Sequence, residues 1–216
     1  EWLRRIGPEL ASEPGPRVIL GPGTGLGVAA LISSDGRFLP LASEAAHMDF
    51  GPANAEDAGI WPFLDFFHGR ITAEAVLSGP GLARLHKARQ RAAGARDEEL
   101  DGTGIVTRGV ADRGSAEAET IRHFWRIAGR FAGNMALSFL AHGGVTLAGG
   151  ILPRILDLLD DDAFRQAFED KAPLQHVVQR IATHVVIAPD AVLAGMAAIA
   201  ARPDLYLLDY AARAWR

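Results

Sequence analysis

The chain has 216 residues, 49% hydrophobic and 22% charged, enough for a sizeable core in one large domain or two small ones. A net charge of −4 argues against a nucleic-acid or membrane surface as the main partner. The absence of cysteine excludes disulfides, thiolate nucleophiles and cysteine-ligated zinc.

The opening EWLRRIGPEL (1–10) starts without Met and reads as a helix already under way, as in a fragment of something longer. RVILGPGTGLGVAALIS (17–33) sets two β-rich apolar runs on either side of a glycine-rich turn. SDGR (34–37) is a hairpin signal, and FLPLAS (38–43) returns as a third strand. SEAAHMDFGP (43–52) follows directly, which puts Glu44 and His47 at a strand end or loop. Residues 55–69 and 72–94 read as helical, the second interrupted at Gly79-Pro80-Gly81. Residues 95–104 are a charged connector, and a short helix follows to about Ala111.

The strongest helix pattern covers 115–143, with Ser115 as N-cap, acids in the first turn and apolar residues at 121, 124, 125, 128, 131, 132 and 135. Glycine closes it. GVTLAGGIL (144–152) is a buried strand running into Gly149-Gly150. Helical pieces at 153–159 and 161–169, a strand at 181–188 and a closing helix from Pro189 complete the chain. Hairpin and crossover connections together predict an α/β fold with a mixed sheet. No apolar run reaches the ~18 residues of a membrane span. The default is a soluble cytoplasmic protein.

Three features could carry chemistry. GPGTGLG (21–27) is a glycine turn whose backbone N–H groups can cradle phosphate oxygens, with the Thr24 hydroxyl beside them. It is no Walker loop, since no Gly-Lys-Ser/Thr follows, and no dinucleotide fingerprint, since a strand rather than a helix comes next. A plain strand-to-strand turn explains it equally well. Gly149 and Gly150 could let a flat ligand approach the backbone, or mark close strand–helix packing.

Glu44, His47 and Glu74 form the polar set. Glu-x-x-His is half of a di-iron signature, but no second pair exists to complete a metal site. Carboxylates accept hydrogen bonds and imidazole both donates and accepts, which suits a hydroxyl-rich ligand. By its position alone, Glu74 reads as a solvated first-turn helix acid. DGTG (101–104) reads as a linker, Gly129 and Gly133 as a close helix contact, and His123, His142, His176 and His184 are scattered without ligand spacing.

Taken in order, GPGTGLGVA (21–29), SEAAHMDFGP (43–52), ITAEAVLSGPGL (71–82), GRFAGNMAL (129–137), GGVTLAGGILPR (143–154) and FRQAFEDK (164–171) resemble the bacterial glucokinases, sugar kinases of the actin-like superfamily. Zinc-bearing relatives carry a cysteine cluster after the Glu…His motif, and its absence here points to the glucokinases proper. The resemblance implies an actin-like, ribonuclease H-like α/β domain, a mixed sheet flanked by helices, over residues 1–189. Residues 190–216 would form a C-terminal helical segment packing on a small domain.

The same resemblance implies ATP-dependent phosphorylation of D-glucose to glucose 6-phosphate, with Mg²⁺ carried by the nucleotide, in a cytoplasmic homodimer without a nucleic-acid or membrane partner. It implies that Glu44, His47 and Glu74 hold sugar hydroxyls, that Gly23, Thr24, Gly25 and Gly27 form a phosphate loop, and that Gly149 and Gly150 lie against the adenosine. No protein ligand to a metal is implied.

Two departures stand out. The family has glycine where this chain has Ala45 and Ala46, and alanine resists positive φ. The family's Asp-x-Gly-Gly-Thr loop and its Asn-Asp pair, whose Asp is the general base, do not occur in these 216 residues. The base is therefore expected in an N-terminal region, and no catalytic residue is assigned; the family keeps an aspartate at the position of Asp49 beside a separate base. Two rival readings are a kinase of another hexose and a non-catalytic sugar-binding or regulatory remnant.

Overall fold

A computed structural model describes residues 2–96 and 98–208. Six strands form one sheet: β1 (Leu3–Ile6), β2 (Arg17–Pro22), β3 (Leu26–Ser34), β4 (Arg37–Ser43), β5 (Val145–Leu147) and β6 (Thr183–Val186). Their spatial order is β1-β6-β5-β2-β3-β4. β2, β3 and β4 are an antiparallel meander, β5 and β6 run parallel to β2, and β1 pairs antiparallel with β6. This is the expected α/β architecture with a mixed sheet flanked by helices.

The opening residues correct the sequence reading. EWLRRIGPEL is not a helix: Leu3–Ile6 is an edge strand, with Leu3 opposite Val186 and Ile6 opposite Thr183. A four-residue strand is too short to show an alternation that competes with helical spacing. The SDGR turn is as expected, with Asp35 and Gly36 both at positive φ, +50° and +74°.

The helices are α1 (Ala55–Ile60), α2 (Ala73–Val76), α3 (Gly79–Ala92), α4 (Gly102–Ala111), α5 (Ala116–Phe139), α6 (Asp161–Glu169), α7 (Gln175–Val178) and α8 (Ala191–Ala201). Residues 55–69 are helical only through α1 and a 3₁₀ turn at Trp61–Phe63. The break in 72–94 falls earlier than expected. Ser78 caps α3 by accepting the Gly81 N–H, and Gly79-Pro80-Gly81 lies in the first turn, where proline's missing N–H costs nothing. DGTG is likewise a helix start rather than a linker, since Asp101 accepts the Gly104 N–H at 2.7 Å.

α5 is the spine of the core. Ser115 caps it, and every apolar position of the predicted stripe is buried. It ends on Leu140, which takes the left-handed cap at φ +46° that the sequence suggested for glycine. Gly129 and Gly133 let α6 close in. A Cβ at either would stand 2.5 or 2.2 Å from the carbonyl oxygens of Phe164 and Phe168. Trp125, Phe131, Phe164 and Phe168 fill the space around them. The closing helix is present as α8, none of whose residues is buried. Residues 209–216 of the expected C-terminal segment lie outside the described residues.

Candidate functional site

β2 and β5 are neighbours and run parallel, so their C-terminal ends open at the same sheet edge. In open α/β sheets that edge is where ligands bind. The glycine turn leaves β2 there. Gly21 pairs with Gly27 and Pro22 with Leu26, leaving Gly23-Thr24-Gly25 as the loop, its Thr24 tip exposed. The loop is held from below. Gly79, at the start of α3, donates its N–H to the Gly23 carbonyl at 2.7 Å, and the Leu26 N–H donates to Glu74 Oε2 at 2.9 Å. Gly25 packs against this carboxylate: a Cβ there would lie 2.6 Å from Glu74 Oε2 and push the side-chain end aside. Around Gly23 the space is open.

β5 ends against the same turn. The Ala148 N–H donates to the Leu20 carbonyl at 2.7 Å, and a Cβ on Gly149 would lie 1.9 Å from the Pro22 carbonyl oxygen. Gly149 is thus a packing glycine. Gly150 is exposed, and a Cβ there would enter open space. The two readings left open in the sequence divide between the pair: close packing for Gly149, open surface for Gly150.

Glu44 and His47 face each other across a single 3₁₀ turn, Ala45–His47, with His47 Nε2 3.7 Å from Glu44 Oε2. Their side chains are 92% and 53% exposed, respectively. Neither Ala45 nor Ala46 adopts positive φ, so the turn forms without the glycines of the family pattern. The chain then pairs with the segment leading into α2: the Phe50 N–H donates to the Ile71 carbonyl and the Ala73 N–H to Met48. This pairing brings α2, with Glu74, beside the Glu44–His47 turn.

Glu74 itself is not a solvated helix acid, since its carboxylate reaches the glycine turn. Sequence reading had no signal for that contact, which joins positions 48 residues apart. Asp49 is held by Arg70 at 2.6 Å.

A second polar group was invisible in the sequence. Behind the loop that ends SEAAHMDFGP, the structure brings together the buried Asp57 and His123 and the mostly covered Arg130. His123 Nδ1 lies 3.0 Å from Arg89 Nη1, and a guanidinium can only donate, so Nδ1 accepts and Nε2–H donates to Asp57 Oδ1 at 2.8 Å. Asp57 Oδ2 receives the Ala53 N–H and pairs with Arg130 at 3.1 Å. Arg130 lies over the Phe50 ring at 4.0 Å, and Trp61 donates its indole N–H to the Phe50 carbonyl. Burial opposes ionisation of Asp57, but hydrogen bonds from His123 and Ala53 and the charge of Arg130 outweigh it and hold its pKa below the ordinary value.

Asp57 and Arg130 line one wall of a cavity of about 990 Å³ between the 49–54 loop, α5 and α6. Lys171 lines it too, its pKa pushed down to about 8 chiefly by burial. None of the expected ligand residues reaches this cavity. His123 is buried in α5 but lies off the apolar stripe read from the sequence, so no local signal marked its partner. Among the described residues, no cluster of three or more His, Asp or Glu is placed to hold a metal ion. No helix among them is long and apolar enough to cross a membrane.

The glucokinase family model matches residues 1–203. A glucokinase of Chelativorans sp. (strain BNC1) is 40% identical over the whole of this chain, which spans 63% of that protein's length. Among solved structures, a glucokinase from an Antarctic psychrotroph superposes with a TM-score of 0.84 at 29% identity, covering 91% of this chain and 61% of that one. A glucokinase from Balamuthia mandrillaris in complex with glucose shares the fold, with a TM-score of 0.74 at 22% identity over 87% of this chain and 55% of the other.

Proposed function

Because this chain belongs to the glucokinase family, we propose that it is the sugar- and nucleotide-binding part of an enzyme that transfers a phosphoryl group from ATP to D-glucose, yielding glucose 6-phosphate. The observation that carries this reading is the convergence at one sheet edge. The glycine turn and the end of β5 meet there, and Glu74 joins the turn to the segment of Glu44 and His47.

In this reading, Glu44, His47 and Glu74 hold glucose hydroxyls. The glycine turn of Gly23, Thr24, Gly25 and Gly27, in which the Gly23 N–H closes the loop by donating to the Gly25 carbonyl at 2.7 Å, holds phosphate oxygens of the magnesium complex of ATP through its other backbone amides and the Thr24 hydroxyl, the nucleotide entering as substrate. Gly149 keeps β5 tight against the turn, and the open surface at Gly150 takes the adenosine. Phosphoryl transfer depends on positioning and on neutralising charge spread over the equatorial oxygens, which a loop of backbone donors supplies. We assign no general base to these residues. Asp49, the carboxylate that follows the Glu44–His47 turn, is paired with Arg70.

The exposed apolar side chains of α8, Val192, Leu193 and Met196, fit a helix that packs on a second domain. Cytoplasmic location and a homodimeric state belong to the same proposal. Titration of glucose into the chain by calorimetry tests the central claim. Binding is expected, weakened roughly 10- to 100-fold by Glu44→Ala or His47→Ala as one charged hydrogen bond is lost. Unchanged affinity in both variants would remove these residues from the site.

A further inference from the structure

We propose that Glu74 couples sugar binding to nucleotide binding, one carboxylate serving both ligands. The inference rests on the functional reading above and adds a connection between its two halves. The sugar set lies on the 44–47 turn and α2, the phosphate donors on the β2–β3 turn, and β3 leads from the one toward the other by pairing with β4. Among the described side-chain hydrogen bonds, that of the Glu74 carboxylate is the one joining a proposed sugar ligand to the glycine turn. Glu74 Oε2 accepts the N–H of Leu26, the residue that closes the glycine turn, while Oε1 has no hydrogen bond among the described contacts and is available to a sugar hydroxyl.

The anchoring of Glu74 makes this contact a constraint. Ala73 is tied to Met48, next to His47. The Glu74 carbonyl receives the Ser78 hydroxyl at 2.9 Å, and Ser78 also caps α3. The first amide of α3, that of Gly79, in turn holds the Gly23 carbonyl on the opposite limb of the turn. One short segment, 73–79, therefore grips the glycine turn at Gly23 and at Leu26 and carries a proposed sugar ligand between those two grips.

A hydroxyl donated to Oε1 fixes the side-chain torsions of Glu74, and this fixes Oε2 under the Leu26 amide. The turn is then ordered before the nucleotide arrives, so the nucleotide meets donors already in place. By linkage, the nucleotide must raise glucose affinity by the same factor. The steric counterpart is Gly25. A methyl there meets Oε2 at 2.6 Å, and the flexible carboxylate end is what yields.

The test measures the affinity of the 216-residue chain for the non-hydrolysable analogue AMPPNP with and without saturating glucose, and for glucose with and without AMPPNP. The expected wild-type result is a roughly 5- to 10-fold tightening of each by the other, within the usual range of coupling. Glu74→Ala, saturated at higher glucose, should bring this factor to about one.

Gly25→Ala should weaken glucose at least three-fold more than Gly23→Ala, although both lie in the nucleotide turn and only the first pushes on Glu74. Thermal unfolding verifies that each variant is folded. If the wild-type chain binds both ligands and neither affects the other, Glu74 is no coupler and the functional reading stands. If the chain binds no glucose at all, the functional reading fails and takes this inference with it.

Discussion

His123 donates its Nε2–H to Asp57 at 2.8 Å across 66 residues of sequence, with the two side chains only 1% and 3% exposed. The bond joins the N-terminal third of α5 to the first turn of α1, behind Phe50 and the loop that ends the Glu44–His47 segment. Asp57 also holds Arg130 and the Ala53 amide.

Removing one member of this group should therefore leave a buried charge unpaired. Asp57→Ala is expected to lower unfolding free energy by about 3–5 kcal/mol, the range for breaking a buried ion pair from one side. Urea unfolding measures it. A loss below about 1 kcal/mol would mean that Arg130 and His123 find other partners.

The same carboxylate sets a pH dependence. Burial works against the charge of Asp57, yet its hydrogen bonds and Arg130 hold its folded pKa below 3.8. Glu56 is held below 4.5 in the same way, against burial, by Arg89, His123 and Arg126. A depressed carboxylate contributes stability that is fully present above the unfolded pKa and is lost as pH falls through the folded one. The stability advantage of wild type over Asp57→Asn should thus be constant above about pH 5 and shrink steadily below 3.8. Melting temperatures from pH 3 to 7 are the measurement.

Lys171 has the opposite sign. Its folded pKa is near 8 against 10.5 for the free side chain, because burial and, to a lesser degree, Arg130 disfavour the charge. Between those values the unfolded chain binds more protons, so stability from this group rises with pH across the window and is flat below it. Wild type should gain melting temperature relative to Lys171→Met on going from pH 7.5 to 9.5, within the window the Lys171 pKa sets. A parallel response of the two proteins would place the lysine in water.

Adjacent glycines at the end of β5 should respond differently to the same methyl. Gly149→Ala drives a Cβ to 1.9 Å from the Pro22 carbonyl, a backbone atom that cannot swing away. It should cost about 1–3 kcal/mol as overpacking and weaken AMPPNP binding, because the turn shifts with Pro22. Gly150→Ala meets open space and should stay within about 0.5 kcal/mol of wild type.

Turnover is the last measurable quantity. No residue here is assigned as general base, and losing such a base typically costs about 10²–10⁴ in rate. Assayed as the 216-residue chain with ATP and glucose, phosphorylation should fall at least that far below the rate of a full-length relative such as the Chelativorans sp. enzyme. Comparable rates would place a base within the chain, and Asp49→Asn would be the first variant to assay.

Much of the fold was legible because its signals are local. Ser115, the acids after it and the seven-position stripe specify α5 within one segment, and SDGR specifies its hairpin from four residues. The glycine turn and the Glu44–His47 pair were legible as motifs for the same reason, each being complete within a few residues. What remained hidden depended on distance along the chain. β1 became a strand only because β6, some 180 residues away, presents an edge for it to pair with, and no pattern in four residues competes with that ladder.

Glu74 looked like a surface acid because its partner is the Leu26 backbone amide, and every residue but proline has one. Gly149 and Gly150 are identical in sequence and differ only in what stands opposite them. His123 looked isolated because Asp57 and Arg89 reach it from α1 and α3. The sequence by itself determined which elements form and which chemistries are present. Tertiary packing decided which polar groups meet, because a backbone amide or a buried charge selects its partner by proximity in the folded chain, and that proximity exists only once the sheet has set its order.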